Sequence, residues 1–194
     1  MRLEGKVAVI VGAGQSPGEG IGNGRATTLR FAQEGARILA ADRLIDSAEE
    51  TAAMAAKAGG ECVPFAADVT KEDTLAAAMA AAEARWGRID ILHNNVGVSI
   101  AGGDKPLDEI TEEAFDRICA INLRGTIMAC KHVVPIMRRQ RSGVIINISS
   151  VAARENSYPL VAYKATKAAM VAFTGSWRCT TRPTASAPTA SCPG

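Results

Sequence analysis

The chain has 194 residues, 47% hydrophobic and 22% charged, which suits one soluble domain able to bury its own core and excludes extended disorder. Its 22 basic against 20 acidic residues leave a formal charge of +2, too little positive excess to point to nucleic acid or an anionic membrane as partner. The five cysteines form no CxxC pair and have only His93 and His132 to join them, so no zinc site is expected, and no apolar run reaches the roughly 18 residues of a membrane span.

The first apolar run, Val7 to Val11, follows Arg2, Glu4 and Lys6 with nothing resembling a signal peptide before it, so a reducing cytoplasm is the expected compartment. It is short and β-branched, as a buried parallel strand reads. A glycine-rich loop follows, then a helix from about Gly24 to Glu34 that Gly35 stops, then a second strand, ARILAAD. Ser47 to Lys57 predicts a second helix, CVPFAAD a third strand, Thr74 to Arg85 a third helix and Ile89 to Leu92 a fourth strand. Thr111 to about Met137 reads as one long helix or two joined elements, Val144 to Ile148 as a strand, and Tyr158 to Phe173 as a last helix. Strands alternating with helices predict an α/β fold: an open, Rossmann-like parallel sheet with helices on both faces and ligands beyond the strands' carboxyl ends.

The loop between the first strand and first helix runs Gly12, Ala13, Gly14, Gln15, Ser16, Pro17, Gly18, Glu19, Gly20, Ile21, Gly22, Asn23, Gly24. Bare amides and a helix dipole there can hold a pyrophosphate, and the GK[ST] of a P-loop is absent. Asp42 ends the second strand twenty residues after Gly22, where a carboxylate can accept hydrogen bonds from the adenosine ribose of NAD and disfavour NADP. Arg43 beside it offers the opposite choice, a grip on a 2′-phosphate. Asp68, closing the third strand next to Val69, could serve the adenine edge or cap a helix. His93, Asn94, Asn95, Val96 and Gly97 follow the fourth strand; the asparagines can tie loops together, Gly97 allows close approach to a cofactor, and His93 reads as packing.

Tyr163 and Lys167 are four residues apart, so a helix presents both on one face, and Ser149 and Ser150 close the preceding strand. A phenol can exchange a substrate hydroxyl's proton if a nearby ammonium favours its anion, while a serine hydroxyl positions the reacting oxygen. Taken together, Gly12 to Gly22, Asn94 to Gly97, Asn122, Ser150, and Tyr163 with Lys167 resemble, in order and spacing, the short-chain dehydrogenase/reductase family from about Leu3 to Phe173. The thirteen residues from Ser150 to Tyr163 favour Ser150 over Ser149. The resemblance implies hydride transfer between NAD, or NADP, and a small alcohol or carbonyl compound, in a family that usually forms homodimers or homotetramers. It implies Tyr163 as general acid/base, Lys167 assisting it and contacting the nicotinamide ribose, Ser150 orienting the reacting oxygen, and Asn122 supporting a proton-relay water. It places Gly12, Gly14, Gly20, Ile21, Gly22, Asp42, Arg43, Asp68, Val69, Asn94, Gly97, Tyr163 and Lys167 on the cofactor. Val11 stands where the family has threonine, a QSPGE insertion lengthens the loop, and Val96 replaces an alanine.

After Phe173 the text changes: GSWRCTTRPTASAPTASCPG has no acidic residue and three prolines, so residues 1–174 are expected to form the domain and 175–194 a disordered tail. Codons allowed for this tail, read one base earlier, spell Met-Ala-Leu-His-Tyr-Ala-Pro-His-Gly, close to what the family has there, so a frameshift near Ser176 is expected. With it come a sheet lacking its C-terminal strand or strands, a site without its substrate cover, and doubtful stability. That prospect keeps a second reading open, an inactive nucleotide-binding or protein-interaction module, which cofactor titration and turnover assays would separate from an enzyme. Tyr158 is expected in a substrate loop or in packing, and Arg138, Arg139 and Arg141 at a solvated helix end rather than on nucleic acid.

Overall fold

The computed structural model describes residues 1–16, 18, 20–155 and 159–180. Five strands, β1 (Val7–Val11), β2 (Arg37–Asp42), β3 (Glu61–Ala66), β4 (Ile91–Asn94) and β5 (Val144–Asn147), form one sheet in the order β3-β2-β1-β4-β5. Every pairing is parallel. The helices are α1 (Asn23–Gln33), α2 (Ile45–Lys57), α3 (Glu72–Trp86), α4 (Glu112–Cys119), α5 (Gly125–Arg139) and α6 (Val161–Thr180).

The all-buried pattern of β1 follows from its place at the centre, with β2 on one side and β4 on the other. Because successive side chains point to opposite faces, Val9 and Val11 join Leu39, Leu75, Met79, Leu92 and Val133 on the face covered by α3 and α5. Ala8 and Ile10 join Ile38, Ala40 and Ile91 on the other, against Leu29 and Phe31 of α1. Strand order reverses at β1, which opens a crevice beyond the ends of β1 and β4, the position where such sheets bind ligands.

β4 begins later than the apolar run Ile89 to Leu92 suggests, because Asp90 is taken up as an anchor. Its carboxylate accepts from the Val7 amide at 3.0 Å and from Arg88 at 2.8 and 2.6 Å. The strand then continues through His93 and Asn94, polar residues that alternation alone would leave outside. Of the two readings of Thr111 to about Met137, the joined elements are found: α4 and α5 meet through a π-helical turn over Ala120–Arg124. Apolar periodicity runs on through such a bulge, so the sequence does not show the turn itself.

The expectation of a sheet left deficient at its C-terminal side is corrected here. The five strands pair without a gap, helices cover both faces, and α6 does not end at Phe173 but continues through Gly175 and Ser176 to Thr180. A helix already nucleated and packed extends cheaply, so a glycine and a serine at its far end do not stop it. The rest of the tail, residues 181–194, and Tyr158 lie outside the described residues. Among the described residues no helix is long and apolar enough to cross a membrane, and no cluster of side chains could hold a metal ion.

His93 is 5% exposed, meets the Phe31 ring edge-on at a centroid distance of 6.4 Å, and has no partner for Nδ1 among the described residues. Burial holds its imidazole below the ordinary range, against a smaller raising effect of its own backbone hydrogen bond. The unfolded chain therefore takes up this proton first, and stability is lost as pH falls below about 6.5 towards the folded value. Urea unfolding at pH 7.5 and 5.5 is expected to show a smaller acid loss in His93→Leu than in the parent. Equal losses would show that other groups carry the acid sensitivity.

Candidate active site

The glycine-rich loop leaves β1 through Gly12, whose φ of +85° favours glycine and whose missing side chain makes room for Val96. A Cβ on Gly12 would lie 2.7 Å from Val96 Cγ2, so the valine that replaces alanine packs against the loop and displaces no polar group. A Cβ on Gly24 would collide with the Gly12 carbonyl, which fixes glycine where α1 crosses the end of β1. Helix α2 grips the loop from the side: Thr51 Oγ1 donates to the Ala13 carbonyl at 3.1 Å and Ser47 Oγ accepts from the Gln15 amide at 2.7 Å. The nearly buried Arg25 ties α1 to this face of α2 through Thr51 at 2.9 Å and Glu50 at 2.6 Å.

Gln15 closes the lengthened loop from within. Its Nε2 donates to the carbonyls of Ser16 and Gly20, both at 2.8 Å, and its Oε1 accepts from the Gly22 amide at 2.6 Å. The insertion is thus tied off at its base, while Ile21 stays exposed and a Cβ on Gly20 would meet nothing within 4 Å. Helix α1 has no side-chain cap and no acidic residue in its first turn, whereas α2, α3 and α4 all carry acidic residues there. An uncapped, electropositive helix start beside a close-packed glycine loop fits a dinucleotide's pyrophosphate.

Asp42 ends β2 with its carboxylate turned to the loop, accepting from the Gly14 amide at 2.8 Å and the Leu44 amide at 3.0 Å. The bare Gly14 lets that carboxylate approach closely, since a Cβ would lie 2.8 Å from it and 2.7 Å from Ser47 Oγ. Arg43 is exposed next to it. Asp68 turns inward on its own loop, its Oδ1 accepting from the Thr70 amide at 2.9 Å and the Thr70 hydroxyl at 2.7 Å. Burial raises this carboxyl, but the Thr70 bonds with the charges of Lys71 and Arg43 outweigh it and hold it below its usual range. Val69 is buried against Gly125, at the start of α5.

The two asparagines after β4 divide their work. Asn94 points into the core, donating to Asn147 Oδ1 at 2.9 Å and touching the Cys130 thiol, while Asn95 donates to the Gly12 carbonyl at 3.1 Å. Of the two asparagines expected to tie loops together, Asn95 is the one that reaches the glycine-rich loop, and Asn94, expected on the cofactor, lies behind it. Burial pushes the Cys130 thiol up to about 12, so it is no nucleophile at neutral pH.

At the other end of the crevice, Asn122 sits fully buried in the π-helical turn. It clamps Val98 from both sides, accepting from its amide at 2.8 Å and donating to its carbonyl at 2.9 Å, and also reaches Thr166 Oγ1 at 3.2 Å. Ser149 Oγ is spent on the Lys167 carbonyl at 2.9 Å, while Ser150 Oγ accepts from the Ala152 amide at 3.2 Å in the short helical turn that follows β5. Lys167 is 2% exposed, donates to the Ile148 carbonyl at 2.7 Å, and holds Nζ 5.6 Å from the centroid of the Tyr163 ring. Gly97 makes this approach possible, since a Cβ there would lie 3.0 Å from that ammonium. Burial pushes the Lys167 amine down to about 8. Asp104, unmarked by the sequence reading, sends its carboxylate to the amides of Ala162 and Tyr163 at the start of α6, at 3.1 and 2.8 Å.

A family model for short chain dehydrogenases matches residues 6–194. The match continues past Ser176 to the last residue, so the expectation of a frameshifted ending outside the family is overturned. The chain is 36% identical over 177 residues, 91% of its length and 68% of the relative's, to a 3-oxoacyl-(acyl-carrier-protein) reductase of Thermotoga maritima. The fold superposes on a solved 7α-hydroxysteroid dehydrogenase complexed with NADH and 7-oxo glycochenodeoxycholic acid with a TM-score of 0.80 at 31% identity, covering 89% of this chain and 64% of that one. On a NAD+-bound xylitol dehydrogenase the TM-score is 0.85 at 30% identity, covering 93% and 66%. The chain thus spans about two thirds of the length of these relatives. By sequence, sheet topology and matched length, the chain belongs to the short-chain dehydrogenase family, whose members are nicotinamide-dependent oxidoreductases of alcohols and ketones.

Proposed function

We propose that this chain interconverts a secondary alcohol and a ketone, with NAD(H) preferred to NADP(H) and Tyr163 as the general acid/base. The observation that carries the reading is the buried Lys167 ammonium, 5.6 Å from the Tyr163 ring centroid on the same face of α6. An ammonium in a site shielded from water favours developing negative charge on a neighbouring phenol, which makes Tyr163 the group to take the alcohol's proton or return it to the carbonyl oxygen. Ser150 would hold the reacting oxygen, while Ser149, bonded to the helix backbone, is a strut. Asn122 holds the loop after β4 against α6 and so shapes the wall between cofactor and substrate. The nicotinamide, when bound, supplies the hydride acceptor or donor. The loop from Gly12 to Gly24 and the start of α1 would take its pyrophosphate, and Asp42 the adenosine ribose.

The NADH-bound and NAD+-bound relatives support this cofactor choice. So does Asp42, whose charge opposes a 2′-phosphate. The working form is proposed to be a homodimer or homotetramer. Turnover of a panel of secondary alcohols and ketones with each cofactor is expected to favour NAD(H), and Asp42→Ala to move the preference towards NADP(H) by about tenfold or more as Arg43 loses its neighbouring anion. Cofactor binding without turnover across the panel would replace this reading with that of a nucleotide-sensing module.

A further inference from the structure

We propose that Asp104 is a positioning residue for the reaction, holding the first turn of the helix that carries Tyr163. The inference rests on the proposed function above. Asp104 is 1% exposed and has no ion-pair partner among the described residues; its carboxylate is spent on backbone amides. Oδ1 accepts from Lys105 and Ala162, both at 3.1 Å, and Oδ2 from Tyr163 at 2.8 Å.

The first amides of a helix have no partner within it, and α6 has no acidic residue in its own first turn. The missing anion arrives from a loop 58 residues earlier in the chain, at the end where the helix dipole favours it. That loop is itself rigid. Asn122 clamps it at Val98, and a short 3-10 turn over Ile100–Gly102 leads into Gly103, whose φ of +93° turns the chain towards α6. A Cβ on Gly102 would lie 2.9 Å from Val98 and 3.0 Å from Ile118, so the turn is packed tight against its neighbours.

Lys167, one turn further along α6, has separate anchors in the Ile148 carbonyl and the Ser149 hydroxyl. Loss of Asp104 therefore frees the turn of Tyr163 while the turn of Lys167 stays tied down. Displacement of a reacting group by about 1 Å lowers turnover about a hundredfold, so the effect falls on kcat.

The test measures kcat, alcohol KM, NADH affinity by fluorescence titration and thermal unfolding in Asp104→Ala, Asp104→Asn and Thr111→Ala. Thr111 caps α4 through the Ala114 amide at 3.2 Å and supplies a control for simple loss of a cap. Asp104→Ala is expected to lower kcat by about 30-fold or more, with KM and NADH affinity within about threefold of the parent. Asp104→Asn, which keeps an acceptor oxygen, is expected to lie only about three- to tenfold below the parent, and Thr111→Ala to lose stability with kcat unchanged. The proposal is overturned if Asp104→Ala unfolds earlier but keeps kcat within about threefold of the parent, or if NADH affinity falls in proportion to kcat. Should Asp104→Ala fail to fold, Asp104→Asn decides: an unchanged kcat overturns the proposal, and a lowered kcat with retained NADH affinity supports it. An inactive parent chain would sink the reading of the site and this proposal with it, whereas an active parent with unaffected variants sinks this proposal alone.

Discussion

Tyr163→Phe is expected to lower kcat by about 10²- to 10⁴-fold while leaving cofactor affinity and thermal stability near the parent values. The substitution removes the phenolic oxygen and keeps the ring. The backbone amide of residue 163 keeps its bond to Asp104, the ring keeps its place near the Lys167 ammonium, and the helix loses no packing. What disappears is the group proposed to carry the proton to and from the substrate oxygen, so alcohol KM should move little and the loss should appear in kcat. Parallel assays of NADH absorbance and NADH fluorescence titration separate the two quantities. A phenylalanine variant that kept more than about a tenth of parental turnover would remove Tyr163 from the acid/base role and return attention to Ser150.

The second large effect concerns Lys167, and it has opposite signs for activity and stability. Burial pushes this amine down to about 8 from an ordinary value of 10.5. Between those two values the unfolded chain still holds a proton that the folded chain has released. Stability contributed by this residue therefore rises with pH across that window and is lowest below about pH 8, where the buried amine is charged in the fold. Lys167→Met keeps most of the apolar stem and removes the charge. At pH 7 it relieves a burial cost of about 3 kcal/mol and leaves the Ile148 carbonyl without its donor at a cost of about 1, a net gain of about 2 kcal/mol. The same variant is expected to lose about a hundredfold or more in turnover, because no ammonium remains to favour charge on Tyr163 or to meet the nicotinamide ribose. Urea titrations at pH 7 and pH 10 test the stability half: the parent should gain on going to the higher pH and the variant should not. A variant less stable than the parent at pH 7, with the parental pH slope, would show that the ammonium is satisfied in the fold.

The two predictions rest on residues of different legibility. Tyr163 and Lys167 are readable because a helix is periodic: four residues apart means one face, whatever the rest of the molecule does. The glycine loop and Asp42 are readable for a similar reason, since a β-α-β unit has a fixed length and ties the loop, the helix start and the end of the next strand to positions along the chain. Asp104 had no such signal. It is one polar residue in a loop, and its partner, the start of α6, is distant in sequence. The asparagines after β4 were legible as loop ties, but which of them meets Gly12 arises only when the fold brings those backbones together.

Other departures have local causes. Asn122 occupies a helix in the sequence pattern and a π-helical turn in the structure, where the bulge swings its side chain onto Val98; apolar spacing on either side is compatible with both. Asn94 and Asn95 are chemically identical neighbours, and only the register of β4 on β1 decides that one faces the core and the other the cofactor loop. The composition after Phe173 suggested a break in the domain, yet α6 carries on to Thr180 and the family match extends over that segment, because low apolar content and scattered prolines describe a local propensity and not the context that can override it.

By itself, then, the sequence determined the parallel α/β architecture, the nucleotide end of the sheet and the pairing of Tyr163 with Lys167, all of which follow from periodicity and from spacing within one repeating unit. The tertiary structure alone decided how Gln15 ties off the long loop, which asparagine meets Gly12, how Asn122 and Asp104 bind the loop after β4 to α6, and how deeply Lys167 is buried. These depend on distances between segments far apart in the chain, and on the desolvation that follows when those segments close over a charge.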